Sequence, residues 1–259
     1  MNEPVQQLSA DERRDSLNAH LIELRKRLLW ALLAMVAGMG VCYLFVEQIY
    51  GFLVQPLAKA MGPEDSQRLI YTGLTEAFFT YLKVSFFAGM FLTFPIVATQ
   101  IWKFVAPGLY KSERRAFLPF LIATPVLFFA GGALVYYFLM PMAWHFFLSF
   151  QSDGGATGLP IQLEARVSEY LDLVMLLIFA FGLCFQLPVL LVLLGRAGLV
   201  TPEQLAKGRR YAIVIAFVVA AFLTPPDILS QFALAIPIIL LYEISILIIR
   251  YLRKKDAAQ

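Results

Sequence analysis

Few side chains in this sequence could do covalent or metal chemistry, and their spacing works against it. His20 and His145 are the only histidines, and Cys42 and Cys184 the only cysteines. The histidines fall at opposite ends of the apolar segments, so they cannot share a haem or a metal. Each cysteine sits inside a long apolar run, which argues against a disulfide and against CxxC redox chemistry. No HExxH, phosphate-binding lysine loop or GxSxG occurs. We expect no catalytic residue, no metal and no cofactor.

Two acids attract attention because they stand among bases. Glu23 lies in His20-Leu21-Ile22-Glu23-Leu24-Arg25-Lys26-Arg27-Leu28, and Glu113 in Leu109-Tyr110-Lys111-Ser112-Glu113-Arg114-Arg115. A carboxylate in such a setting suits a guanidinium ligand, which is planar, permanently charged and able to bond in a bidentate way. Each also has a plain structural reading. Glu23 can pair with Arg27 one helical turn on. Glu113 can be a first-turn acid after a Ser112 N-cap, favoured by the helix dipole. Spacing alone does not choose. Within apolar stretches, Lys83 and Glu243 are placed to snorkel to the nearer membrane surface. Gln186 has no such route, so its amide must bond a neighbouring helix or a ligand.

The elements holding these residues are membrane helices. Apolar residues make up 60% of 259 and charged ones 15%, with a mean hydropathy of +0.73. Ordinary soluble domains carry about 25% charged residues. About 20 apolar residues cross a hydrocarbon core of about 30 Å. The apolar runs predict an all-α membrane domain with six spans, at about residues 28–46, 77–102, 116–140, 173–195, 211–226 and 228–249. The stretch after Met140, apolar but containing Gly and Ser, reads as loop. Thr224-Pro225-Pro226-Asp227 reads as a sharp reversal, because proline cannot continue a helix and restricts its predecessor. The fifth run is short, which implies either a thinned bilayer or a re-entrant hairpin formed by the last two segments. Glu47 to Met61, around Pro56, is expected to lie along the outer interface. Pro95, Pro119, Pro125, Pro188 and Pro237 imply kinks.

Seventeen lysines and arginines fall in one set of loops and termini, against Lys59, Arg68 and Arg166 in the other. That asymmetry predicts both ends in the cytoplasm, with polar tails at 1–18 and 251–259. Met1 to Asn18 lacks the apolar core of a cleavable signal, so the first span is expected to direct insertion itself.

With these features in order, the chain resembles the TatC family, the polytopic core subunits of the twin-arginine (Sec-independent) protein translocase. The resemblance runs from about His20 to Arg250. It rests on the entry segment His20 to Leu28 and on Phe104-Val105-Ala106-Pro107-Gly108-Leu109-Tyr110 leading to Glu113-Arg114-Arg115. Phe181-Gly182 before Phe185-Gln186-Leu187-Pro188 is a third motif, and Leu223-Thr224-Pro225-Pro226-Asp227 with Ser230-Gln231 a fourth.

The resemblance implies a curved, glove-like six-helix bundle in the bacterial inner membrane, with two short C-terminal helices. Its implied role is to receive twin-arginine signal peptides and support export of folded proteins. It would work with single-span TatA-like and TatB-like partners and by self-association, using the proton-motive force. No nucleotide and no nucleic acid are implied. By position, Glu23 and Glu113 match the acids that receive the arginine pair, with Arg25 and Phe104 beside them. Gln186 falls at a further signal-contact position where many relatives carry glutamate. As an amide it supports hydrogen bonding but no titratable group at mid-membrane. Pro56 matches an outer-loop position, as Asp227 does in the last reversal. Thr224 and Gln231 match a polar patch facing the single-span partners. Two readings of other classes are a small-solute secondary transporter, for which only Gln186 lies at the right depth, and an assembly scaffold without a ligand of its own.

Overall fold

The computed structural model describes residues 10–62, 68–109, 114–152, 154, 158–159, 161–223 and 228–256. Among them the architecture is all helical: α1 (Ala10–Leu44), α2 (Val46–Met61), α3 (Glu76–Leu109), α4 (Arg114–Leu134), α5 (Met140–Leu148), α6 (Val167–Cys184), α7 (Leu187–Arg196), α8 (Pro202–Lys207), α9 (Arg209–Leu223) and α10 (Ile228–Asp256). Among the described residues, five segments are long and apolar enough to cross a membrane: His20–Leu44, Glu76–Phe104, Pro119–Leu148, Val167–Arg196 and Ser230–Lys254. The 15 residues of α9 make a sixth apolar helix, about 22 Å long at 1.5 Å per residue. α10 carries the apolar run through Pro237 and on into the basic tail, to Asp256.

Many apolar side chains of α1 from Leu21 onward, such as Leu28, Leu32, Leu33 and Val36, are exposed. This is what a helix facing lipid shows, because burial there brings no gain over hydrocarbon. Helices then meet through close packing. α1 lies chiefly against α3, where Gly38 crosses Gly89 and a Cβ at Gly89 would strike the Met39 backbone. α4 and α6 meet in the same way, since a Cβ at Gly182 would stand 2.6 Å from the Phe128 ring. Phe128 is fully buried and stacks on Phe94 with centroids 3.6 Å apart. The main core joins α2, α3, α4, α5, α6, α9 and α10. A second cluster, Phe120, Val189, Val192, Leu193 and Ile249, ties α4, α7 and α10 at the basic end.

Three elements differ from the sequence expectation, the first being α10, which at 29 residues is not a short last helix. The third span does not end at Met140: a π-helical turn, Val135–Leu139, leads into α5, which runs to Leu148. Pro141 offers no N–H and its ring would clash with the Tyr137 carbonyl in a regular helix. The wider turn accommodates it, so the helix continues. The fourth span is divided between α6 and α7 at Phe185–Gln186, because Pro188 imposes the same conflict on the Cys184 carbonyl.

Candidate functional site

At the basic end, the first turns of α1's apolar segment meet the last turns of α3. The His20 imidazole stacks on the Phe104 ring, with centroids 4.3 Å apart and planes at 26°. One turn further along α1, Glu23 pairs with Arg27, whose Nε donates at 3.1 Å. The local i,i+4 contact is therefore real. Both Arg27 donors fall on Oε1, so Oε2 accepts no hydrogen bond among the described residues. The Glu23 side chain keeps 40% of its surface exposed. A carboxylate with one oxygen engaged and one open can bridge to a second guanidinium. Arg25 is exposed on the same helix. Glu113 lies outside the described residues.

The same end is closed on its other side by α8. Thr201 and Gln204 form a capping box, with Gln204 N donating to Thr201 Oγ1 at 3.2 Å and Thr201 N to Gln204 Oε1 at 2.9 Å. Hydrogen bonds from its own N–H and from Thr201 hold the Glu203 carboxyl below the usual range, with Arg253 and Arg250 adding to the effect.

Gln186 is not part of this cluster. It lies ten residues before Arg196, about 15 Å along the helix axis. Its Nε2 donates to the Thr124 carbonyl at 3.0 Å. Thr124 Oγ1 in turn accepts from Trp102 Nε1 at 2.9 Å. The amide thus serves an interhelical chain from α3 through α4 to the α6–α7 junction. No hydrogen bond or ring contact joins it to Glu23, Arg25 or Phe104 among the described residues.

Gln231 bonds inward as well, its Nε2 donating to the Phe217 carbonyl at 3.2 Å and linking α10 to α9. Thr224 and Asp227 lie outside the described residues. Pro56 is buried inside α2 and deprives the Phe52 carbonyl of its helical donor. The Tyr136 hydroxyl supplies one instead, at 2.7 Å, and Tyr170 donates to the neighbouring Leu53 carbonyl at 2.9 Å.

The two residues expected to snorkel each hold an ion pair. Lys83 Nζ stands 2.8 Å from Asp172 Oδ2 on α6, and Glu243 meets Arg209 at 2.7 Å. A partner within reach lowers the cost of a charge near hydrocarbon. Sequence reasoning also missed Glu76. Its carboxylate accepts from the backbone of Thr72 (2.9 Å) and Gly73 (3.1 Å), from Ser168 Oγ (2.6 Å) and from Arg166 (3.4 Å). The one available signal was an acid at the start of an apolar run.

The family model described as Sec-independent protein translocase protein (TatC) matches residues 19–237. The chain belongs to the TatC family. The TatC protein of Magnetococcus marinus is 52% identical over 248 residues, covering 96% of this chain and 89% of its own length. That of Escherichia coli K12 is 40% identical over 235 residues, covering 91% and 88%. A crystal structure of the twin-arginine translocase receptor TatC in DDM superposes with a TM-score of 0.77 at 37% identity, covering 88% of this chain and 98% of the other. TatC membership and the apolar helices together make this a multi-pass membrane protein. The open oxygen of Glu23 beside the His20–Phe104 stack is the arrangement that a TatC function must use or leave aside.

Proposed function

We propose that this TatC-family chain is the signal-peptide receptor and core subunit of a twin-arginine translocase in the bacterial inner membrane. Both termini face the cytoplasm, and folded proteins are exported at the expense of the proton-motive force. The observation that carries this reading is Glu23, with Oε1 engaged by Arg27 and Oε2 open on the basic end. A signal-peptide guanidinium takes Oε2, and Glu113, from the next basic segment, takes the second. Arg25 and Phe104 frame the contact, and Gln186 contributes through the helix junction it holds. Surrounding bases repel a merely basic segment, so only a cation reaching the acids gains. TatA-like and TatB-like helices meet the chain beside Gln231 and Thr224, and copies of the chain associate in the receptor complex. Pro56 shapes the outer helix α2, not a loop as its position in the sequence implied, and Asp227 the last reversal.

A double-mutant cycle tests the site. Glu113→Ala is paired with glutamine in place of one signal arginine, and Glu23→Ala likewise, with peptide binding measured on the purified protein. Loss of a charge-assisted contact weakens binding roughly ten- to a hundredfold. Coupling near zero at both acids would mean that the arginines are read elsewhere. Orientation is tested separately in a variant lacking Cys42 and Cys184. A cysteine at Ser152 should react with an impermeant thiol reagent added outside cells, and one at Ser112 should not. The reverse pattern overturns the topology.

A further inference from the structure

Only Lys59, Arg68 and Arg166 bring positive charge to the loops at the end opposite the basic one. Arg166 is committed to Glu76 and Glu169. Lys59 and Arg68 are exposed, and neither makes an ion pair among the described residues. Arg68 borders a recess of about 330 Å³ between α2 and residues 68–69, lined also by Tyr50, Val54, Leu57, Met61 and Gly62. Lys59 stands in the last turn of α2 on the opposite helix face, away from that lining.

The recess is built into the fold. Gly62, at φ 85°, turns the chain off the end of α2 in a conformation that other residues rarely adopt. Two residues after Arg68, Ile70 is pinned from both sides: its N–H donates to Ala165 at 3.1 Å, and its carbonyl accepts from Val167 at 2.9 Å. Leu69 packs into the core, and Leu57, on the floor, is 1% exposed. The wall carrying Arg68 is therefore fixed against the wall carrying Tyr50. Tyr50 touches Tyr81 edge-on at 5.6 Å, and its hydroxyl makes no hydrogen bond among the described residues.

Its place between two candidate spans sets the recess near a membrane surface. This segment joins the end of one span at Leu44 to the start of the next at Glu76. A guanidinium and a phenol above an apolar floor, at headgroup level, match a phosphodiester with the start of an acyl chain below it.

We propose that this recess binds the headgroup of an anionic phospholipid, with Arg68 as the phosphate ligand and Tyr50 as a second donor. Free inorganic phosphate shares the anionic chemistry but cannot use the floor of Val54, Leu57 and Met61.

The full-length chain in neutral detergent, titrated with phosphatidylglycerol and read by native mass spectrometry, provides the test. Phosphatidylglycerol should bind more tightly than phosphatidylcholine. Arg68→Gln should weaken it about tenfold, while Arg68→Lys retains part of the affinity and Tyr50→Phe loses less than Arg68→Gln. Millimolar inorganic phosphate should not displace the lipid. Equal phosphatidylglycerol binding by wild type and Arg68→Gln would overturn the site. Equal retention of the two lipids, or ready displacement by phosphate, would overturn the ligand. Arg68 is exposed, so these variants are expected to fold, and an unchanged melting temperature in lipid-free detergent checks this.

Discussion

The hydroxyl of Tyr136 donates to the Phe52 carbonyl at 2.7 Å, and that carbonyl is the one Pro56 leaves without a helical N–H. The two residues act as one feature. Tyr136→Phe should destabilise the protein by about 0.5–1.5 kcal/mol, because a part-buried carbonyl loses its donor. In a Pro56→Ala background the backbone N–H returns, and the same Tyr136→Phe change should cost clearly less. Unfolding of the four variants in detergent measures the coupling. Equal costs in both backgrounds would separate Tyr136 from Pro56.

Lys83 and Asp172 join α3 to α6 through side chains that remain about half exposed, at 55% and 48%. Removing one partner leaves a lone charge against hydrocarbon, whereas removing both leaves none. Lys83→Met and Asp172→Leu should each lower the melting temperature, and the double variant should recover most of the loss. Additive losses would show that the two charges do not depend on each other.

Glu76 holds the Thr72 and Gly73 amides together with Ser168 and Arg166. Glu76→Ala should speed hydrogen exchange at Thr72, Gly73, Ile70 and Val167, because the carboxylate clamps the two segments that Ile70 bridges. Exchange rates unchanged at these four amides would show that the Ile70 bridge stands without it.

Gln231 spends its Nε2 on the Phe217 carbonyl, which leaves its oxygen for a partner helix. Gln231→Leu removes both contacts, while Gln231→Glu keeps an acceptor. On the proposed partner role, co-purification of TatA-like and TatB-like subunits falls with leucine and is kept in larger part with glutamate. Unchanged recovery with leucine at normal expression would exclude Gln231 from the partner surface.

How much of this was legible in the sequence follows from which forces act locally. Apolar runs such as Leu28–Val46 can be read directly, because hydrocarbon forces every backbone group into a helix. The Glu23–Arg27 pair was legible too, since its partners lie one turn apart. Lys83 was not: Asp172 is 89 residues away, and only the fold brings the two together. Gln186 could be recognised as needing a hydrogen bond, but not as finding it on Thr124. The helix from Met140 to Leu148 reads as loop in the sequence because Gly and Ser follow in the same apolar stretch, and Pro141 adds a breaker. The π-helical turn that absorbs it leaves no compositional mark. The His20–Phe104 stack lay hidden because neither ring is unusual until α1 and α3 are set side by side.

The Gly38–Gly89 crossing also bears on the order of assembly. α1 rests chiefly on α3, and both helices are complete by Leu109. All the residues that interlock them have been synthesised before Phe128 or Phe181 leaves the ribosome. The first two spans can therefore dock as a pair during translation, ahead of the core that later surrounds α3. Each subsequent span then adds to an edge that already exists. A nascent chain halted shortly after Leu109 has emerged should already hold Gly38 against Gly89.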